Sequence, residues 1–161
     1  MVFLTVGSSH LNFTRLIEAV DELAGSGVLQ DVFAQIGNCD YVPRHCRWER
    51  HLSYELFQKN MREADYVICH GGDGTLEEGM RLQKKMIVVP RRVQHEEAPD
   101  DHQLEIVELL ATKNRILGAL KMEDLAVCIQ RVPTWTPSPV SPRAGNPVAD
   151  YINDLIRREY T

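Results

Sequence analysis

The residue types best suited to holding an anion lie in Gly71-Gly72-Asp73-Gly74-Thr75, where the apolar run Tyr66–Cys69 and His70 give way to helical spacing from Leu76. Glycines let a backbone approach an anion closely, and the helix that follows points its free N–H groups at it. Thr75 can add a hydroxyl to a phosphate, and Glu78, one turn later, can accept hydrogen bonds from a ribose diol. The same residues have a ligand-free reading, because Thr75-x-x-Glu78 is also a capping box. Both readings stay open on these residues alone. A second turn, Gly7-Ser8-Ser9-His10, follows the run Val2–Val6, and His10 there is either a group reaching a substrate cleft or a polar loop residue. Gly37-Asn38 and Pro90-Arg91-Arg92 mark two further turns. One arginine of the last pair is assigned to phosphate, with Arg91 as the ligand, and the other to the acids nearby.

The remaining candidates point to less chemistry. Cys39 and Cys46 with His45 or His51 are conceivable zinc ligands, but close ligand pairs are the usual signature and no C-x-x-C is present. Four scattered cysteines read as reduced thiols, and no metal site is expected. His45 and His51 are taken as surface residues. His95 lies among Glu96, Glu97, Asp100 and Asp101, a run expected to be a mobile, solvated loop.

The elements that must position these residues alternate in type. Strand-like runs at Val2–Val6, Val32–Ile36, Tyr66–Cys69 and Met86–Val89, with shorter ones at Arg47–Leu52 and Ile116–Leu120, are separated by helical periodicity. Phe13, Leu16, Ile17, Val20 and Leu23 share one helix face. Ser53 is the expected N-cap of a helix through Ala64, and the helix after the glycine turn is expected over Leu76 to Gln83. His102–Ala111 and Glu123–Ile129 complete the set. This order predicts an α/β domain, a Rossmann-like parallel sheet with helices on both faces, in which ligands bind beyond the carboxyl ends of the strands.

Three segments are expected: a domain over 1–132, a Pro-rich linker or strap over 133–147, and a terminal amphipathic helix over 148–161. Five of the eight prolines fall in the strap, and Trp135 within it argues for docking. Val148, Tyr151, Ile152, Leu155 and Ile156 mark one face of the last helix, suited to packing on its own domain, on a partner or on a second copy.

At 161 residues, 43% of them apolar, the chain is long enough for one core, and its net charge of −5 provides no footprint for nucleic acid. No apolar run approaches the roughly 20 residues a membrane helix needs. Met1–Thr5 reads as a first strand rather than a leader.

Three families carry similar turns. Gly71–Thr75 resembles the GGDGT signature of NAD kinases and diacylglycerol kinases, and Gly71–Glu78 resembles the turn of lysine-decarboxylase-like phosphoribohydrolases. Both matches are short, and the further motifs of those families are absent. The third resemblance runs from Val2 to about Leu110. Its stretches are Phe3–Gly7, Phe13-x-Arg15-Leu16, Gln35-Ile36-Gly37, Ala64–Gly72 with Gly74-Thr75-x-x-Glu78, Ile87–Arg91 and His102-Gln103. In these the chain resembles the carboxyl-terminal half of glycosyltransferase family 28. It looks most like the stand-alone subunits of split transferases in exopolysaccharide and capsule synthesis, and is similar to the cytosolic subunit of the eukaryotic dolichol-linked N-acetylglucosaminyltransferase.

This resemblance implies a GT-B domain that binds a UDP-sugar as substrate, with no metal or other cofactor. Gly7, Ser8 and Ser9 with His70, Gly71, Gly72, Gly74 and Thr75 would surround the diphosphate. Glu78 would take the ribose, the backbone around Ser53 the uracil edge, and His102 and Gln103 the sugar hydroxyls. Asp73 departs from the family's small residue and must point away, cap the helix or share a cation. The resemblance further implies a cytoplasmic protein held at the membrane by an anchored acceptor-binding partner, with a lipid-linked saccharide as acceptor and a homodimer as an option in isolation. The alternatives are a non-catalytic accessory subunit and, more distantly, a kinase-like nucleotide binder.

Overall fold

In the computed structural model, residues 1–140 and Ala149 are described. Six short parallel strands form one sheet in the order β3-β2-β1-β4-β5-β6. They are β1 (Val2–Thr5), β2 (Val32–Gln35), β3 (Arg47–Glu49), β4 (Tyr66–His70), β5 (Met86–Val89) and β6 (Leu117–Gly118). Helices α1 (Thr14–Gly25), α2 (Tyr54–Glu63), α3 (Asp73–Arg81), α4 (His102–Thr112) and α5 (Glu123–Arg131) connect or follow them, with a short 3-10 turn at Val93–His95. The expected Rossmann-like parallel sheet is therefore present, with its strand order reversing between β1 and β4.

Strand alternation divides the core in two. Val2, Leu4, Val6, Ile68, Ile87 and Val89 face α1 and α5, burying Leu16, Ile17, Val20, Leu125 and Ile129. Phe3, Val67, Cys69, Met86 and Val88 face α2, α3 and α4, burying Met61, Leu76, Met80, Ile106 and Val107. Each such side chain contributes roughly 1.5–3 kcal/mol. Strands buried on both faces explain why β1, β4 and β5 read as continuous apolar runs.

Polar anchors fix the loops. Asp21 is buried, and Tyr41 Oη (2.8 Å) with the N–H groups of Arg44 (2.9 Å) and His45 (2.8 Å) donates to its carboxylate. Burial alone would raise its pKa, but these donors hold it below the usual carboxylate range. Among the described strap residues, Trp135 Nε1 donates to Asn114 Oδ1 (2.7 Å) and Asn114 O accepts from Ser138 N–H (2.8 Å). The strap over residues 133–140 is therefore docked. Apart from Ala149, residues 141–161 lie outside the described residues, and so does the expected terminal helix.

Two local expectations are corrected. The helix after the glycine turn begins at Asp73, not Leu76, so Thr75 is its third residue and not its cap. The loop over residues 91–101 is not a free solvated run. Arg15 grips buried Glu97 through Nε–Oε1 (2.6 Å) and Nη2–Oε2 (2.9 Å), and its Nη2 also donates to Pro90 O (2.9 Å).

Candidate functional site

The order reversal between β1 and β4 opens a crevice at the carboxyl ends of these strands, the usual ligand position in an open α/β sheet. The Gly7–Ser9 turn forms one wall and the Gly71–Thr75 turn the other. His70 ends β4 between them. Its imidazole is 8% exposed and fills the space beneath both turns. A Cβ on Gly7 would stand 2.5 Å from His70 Nε2, and one on Gly72 would stand 2.2 Å from it. The glycines are required because the ring occupies the volume a side chain would need. Burial pushes the His70 pKa down to about 4, and Arg91 adds to that effect against a smaller opposing pull from the Thr5 carbonyl. The ring is therefore neutral at pH 7, and its buried Nδ1 has no hydrogen-bond partner among the described residues.

Helix α3 starts at this point without a side-chain cap. Gly72 is the N-cap, and its carbonyl accepts from Leu76 N–H (3.1 Å), which leaves the first-turn N–H groups of Asp73, Gly74 and Thr75 without helical partners. The capping-box reading of Thr75 and Glu78 is thereby removed. Asp73 is exposed at the first helical position, where a carboxylate suits the helix dipole.

Side-chain struts tie the turns together. Gln103 Oε1 accepts from the N–H groups of Gly71 (3.2 Å) and Arg91 (3.1 Å), joining the β4 and β5 turns. The assignment of Arg91 to phosphate is corrected. Its guanidinium is 2% exposed and donates to the carbonyls of Val6 (2.9 Å), Leu11 (3.0 Å), Asn12 (3.3 Å) and Glu97 (3.2 Å), over the Phe13 ring at 4.8 Å. Arg91 therefore shapes the crevice wall from behind. Arg92 pairs with Asp101 (3.2 Å).

The sequence model of the glycosyltransferase family 28 C-terminal domain matches residues 1–139. The chain belongs to this family. Solved structures that share its fold include three at 18–19% identity. ALG13 superposes with a TM-score of 0.63 at 18% identity, covering 94% of this chain and 94% of that one. The glycosyltransferase of kitacinnamycin gives 0.59 at 18% identity, covering 81% of this chain and 34% of the other. Acinetobacter baumannii MurG gives 0.53 at 19% identity, covering 97% and 49%. The chain thus spans about a third and about half of the last two proteins. No curated protein matches it by sequence.

In this family 28 domain, the other residues singled out by sequence fall into two groups. Glu78 lies one turn along α3, its carboxylate held by the Arg81 fork at 2.6 and 3.1 Å and approached by Gln58 Nε2 at 3.4 Å. Gln58 Nε2 also donates to Tyr54 Oη (2.7 Å), which connects Glu78 to the start of α2. There Ser53 caps the helix, its Oγ accepting from Leu56 N–H (3.3 Å). His10 and His102 are exposed, and no described contact joins either to the crevice; His102 Nδ1 lies 3.8 Å from Glu105. Gly7, Ser8, Ser9, His70, Gly71, Gly72, Gly74, Thr75 and Gln103 are brought together. Cys39 packs into the core, and burial pushes the Cys46 thiol up to about 12, which disfavours the thiolate a zinc ion needs. Among the described residues, no helix is long and apolar enough to cross a membrane.

Sequence reasoning missed the Arg15–Glu97 pair and the buried polar side chains Thr5 and Gln35. Arg15 and Gln35 stood in stretches matching the family, but nothing local assigned them a partner.

The depressed pKa of His70 makes a pH prediction. The unfolded chain takes up the proton near pH 6.5 and the folded chain near 4, so stability is lost as pH falls through that window. The full difference is about 3 kcal/mol. Urea unfolding between pH 7.5 and 4 is expected to show this extra slope in the wild type and not in His70→Gln. Parallel profiles for the two proteins would contradict it.

Proposed function

We propose that this glycosyltransferase-family domain is the UDP-sugar-binding catalytic subunit of a two-component hexosyltransferase of the inverting GT-B type. The observation carrying the reading is the crevice itself. An uncapped helix start faces a second glycine turn across a neutral, buried imidazole, at the point where strand order reverses. A nucleoside diphosphate suits this crevice, because main-chain N–H groups and the α3 dipole stabilise the charge that develops on the leaving UDP. In this reading Glu78 takes the ribose diol, the α2 start takes the base, and the Gln103 side-chain NH2 takes the donor sugar. No metal enters the scheme, and Asp73 stays in solvent.

The acceptor is assigned to a second, membrane-anchored subunit that also supplies the general base, with a lipid-linked saccharide on the cytoplasmic face. The resemblance to stand-alone subunits of split transferases supports this part.

Calorimetric titration with UDP and then UDP-hexoses, on the wild type and Glu78→Ala, tests the donor site. UDP binding is expected to weaken about tenfold or more in the variant, the worth of one charge-assisted hydrogen bond. No binding by the wild type at millimolar UDP would contradict the catalytic reading and leave the accessory role.

A further inference from the structure

Thr5 and Gln35 are polar side chains buried side by side where β1 and β2 end, at 0% and 7% exposure. Their hydrogen bonds form a closed circuit around one residue. Gly7 N–H donates to Thr5 Oγ1 (3.3 Å), the Thr5 hydroxyl donates to Gln35 Oε1 (2.5 Å), and Gln35 Nε2 donates back to Gly7 O (3.3 Å). The direction is fixed throughout. A carbonyl can only accept, so the Gln35 amide must turn its NH2 to Gly7 O, which points Oε1 at Thr5 and makes the hydroxyl the donor. Inside the circuit Gly7 holds φ +73°, a conformation that side chains rarely adopt. Gly37, just beyond β2, packs against the same carbonyl, since a Cβ there would stand 3.2 Å from Gly7 O.

Both polar groups of Gly7 are therefore spent inside the protein. This glycine supplies the shape of the turn, which leaves Ser8 and Ser9 as the turn's residues available to an anion. Burying an amide and a hydroxyl beside a core is costly unless every group is paired, and here the pairing serves one peptide at the crevice wall.

We propose that Gln35 is a positioning residue for the donor diphosphate, acting with Thr5 to lock the Gly7 peptide so that the Ser8–Ser9 segment faces the crevice. The assignment rests on the UDP reading of the crevice.

The test uses the full chain with Gln35→Leu and Gln35→Glu. Gln35→Leu removes the two hydrogen bonds that Gln35 makes, leaving Gly7 N–H on a Thr5 hydroxyl with nothing to hold it, and is expected to weaken UDP binding about tenfold or more. At pH 7.5 the carboxylate of Gln35→Glu cannot donate to Gly7 O, so its affinity is expected to fall similarly. As pH drops toward 5.5 the buried carboxyl takes a proton, regains a donor and recovers affinity relative to the wild type at the same pH, a ratio in which the titration of the UDP phosphate at about pH 6 cancels. Amide exchange adds a readout that loss of stability alone would not produce: Gly7 N–H loses protection in Gln35→Leu while β5 and α4 keep theirs. Variants that bind UDP within twofold of the wild type, or a Gly7 amide already unprotected in the wild type, would overturn the assignment and leave the donor site standing. Absence of UDP binding by the wild type would overturn the donor-site reading, and the assignment of Gln35 with it.

Discussion

Replacing Gly72 with alanine is expected to weaken donor binding by roughly two orders of magnitude and to destabilise the fold by about 1–3 kcal/mol, the usual cost of overpacking. Gly72 has φ −77° and ψ 137°, which any residue adopts, so backbone strain is not the cause. The cost lies in the 2.2 Å between the added Cβ and His70 Nε2. A flexible side chain would swing aside, but this ring is clamped from the other side by Gly7 and buried below. Its one exit is into the crevice, where it would take the place of the diphosphate. A loss of roughly hundredfold in UDP affinity follows, equivalent to about 2.7 kcal/mol. A double-mutant cycle with His70→Ala checks the cause. With the ring removed, Gly72→Ala is expected to cost under about 0.5 kcal/mol of stability. An equal cost with and without the ring would show that the two residues do not wedge one another.

The second large effect belongs to Arg91. Its side chain donates to four carbonyls, two of which, Val6 and Leu11, flank the Gly7–His10 turn, and it stacks on Phe13. Arg91→Leu leaves these buried acceptors without a donor and is expected to cost about 3–5 kcal/mol. For a chain of this size that lowers Tm by roughly 10 °C. Arg91→Lys is expected to rescue little, because one ammonium cannot replace two nitrogens aimed at separate carbonyls. Thermal unfolding of the two variants is the check, and a fall of less than about 2 °C for Arg91→Leu would show that the guanidinium is dispensable to the wall.

Arg91 also illustrates where reading the sequence stops. Adjacent arginines after a strand look alike, and both look like phosphate ligands. Strand alternation separates them, since Arg91 continues the line of Ile87 and Val89 toward Phe13, whereas Arg92 turns to Asp101. Glu97 sat in an acidic run whose composition suggests solvent, yet its partner Arg15 comes from 82 residues earlier. Pairings of that range leave no local signature. Thr75 and Glu78 misled in another way. Their spacing fits a capping box, but Asp73 and Gly74, weak helix formers in general, are acceptable in a first turn, so the helix begins sooner. What the sequence did make legible has a simple cause. Apolar strand runs, helical spacing and glycine turns are local patterns, and they sufficed for the parallel sheet and for the two turns that meet at its switch point. The neutral wedge at His70 required the fold, because Gly7 and Gly72 meet the ring from different strands.

A nucleoside diphosphate held between the Gly7–Ser9 and Gly72–Thr75 turns would be seen by following the backbone amides by NMR during a titration with UDP. The largest shifts are expected at Ser8, Ser9 and Gly72 through Thr75, with smaller ones near Glu78 and the start of α2. Saturating shifts centred elsewhere, or none at millimolar UDP, would contradict it.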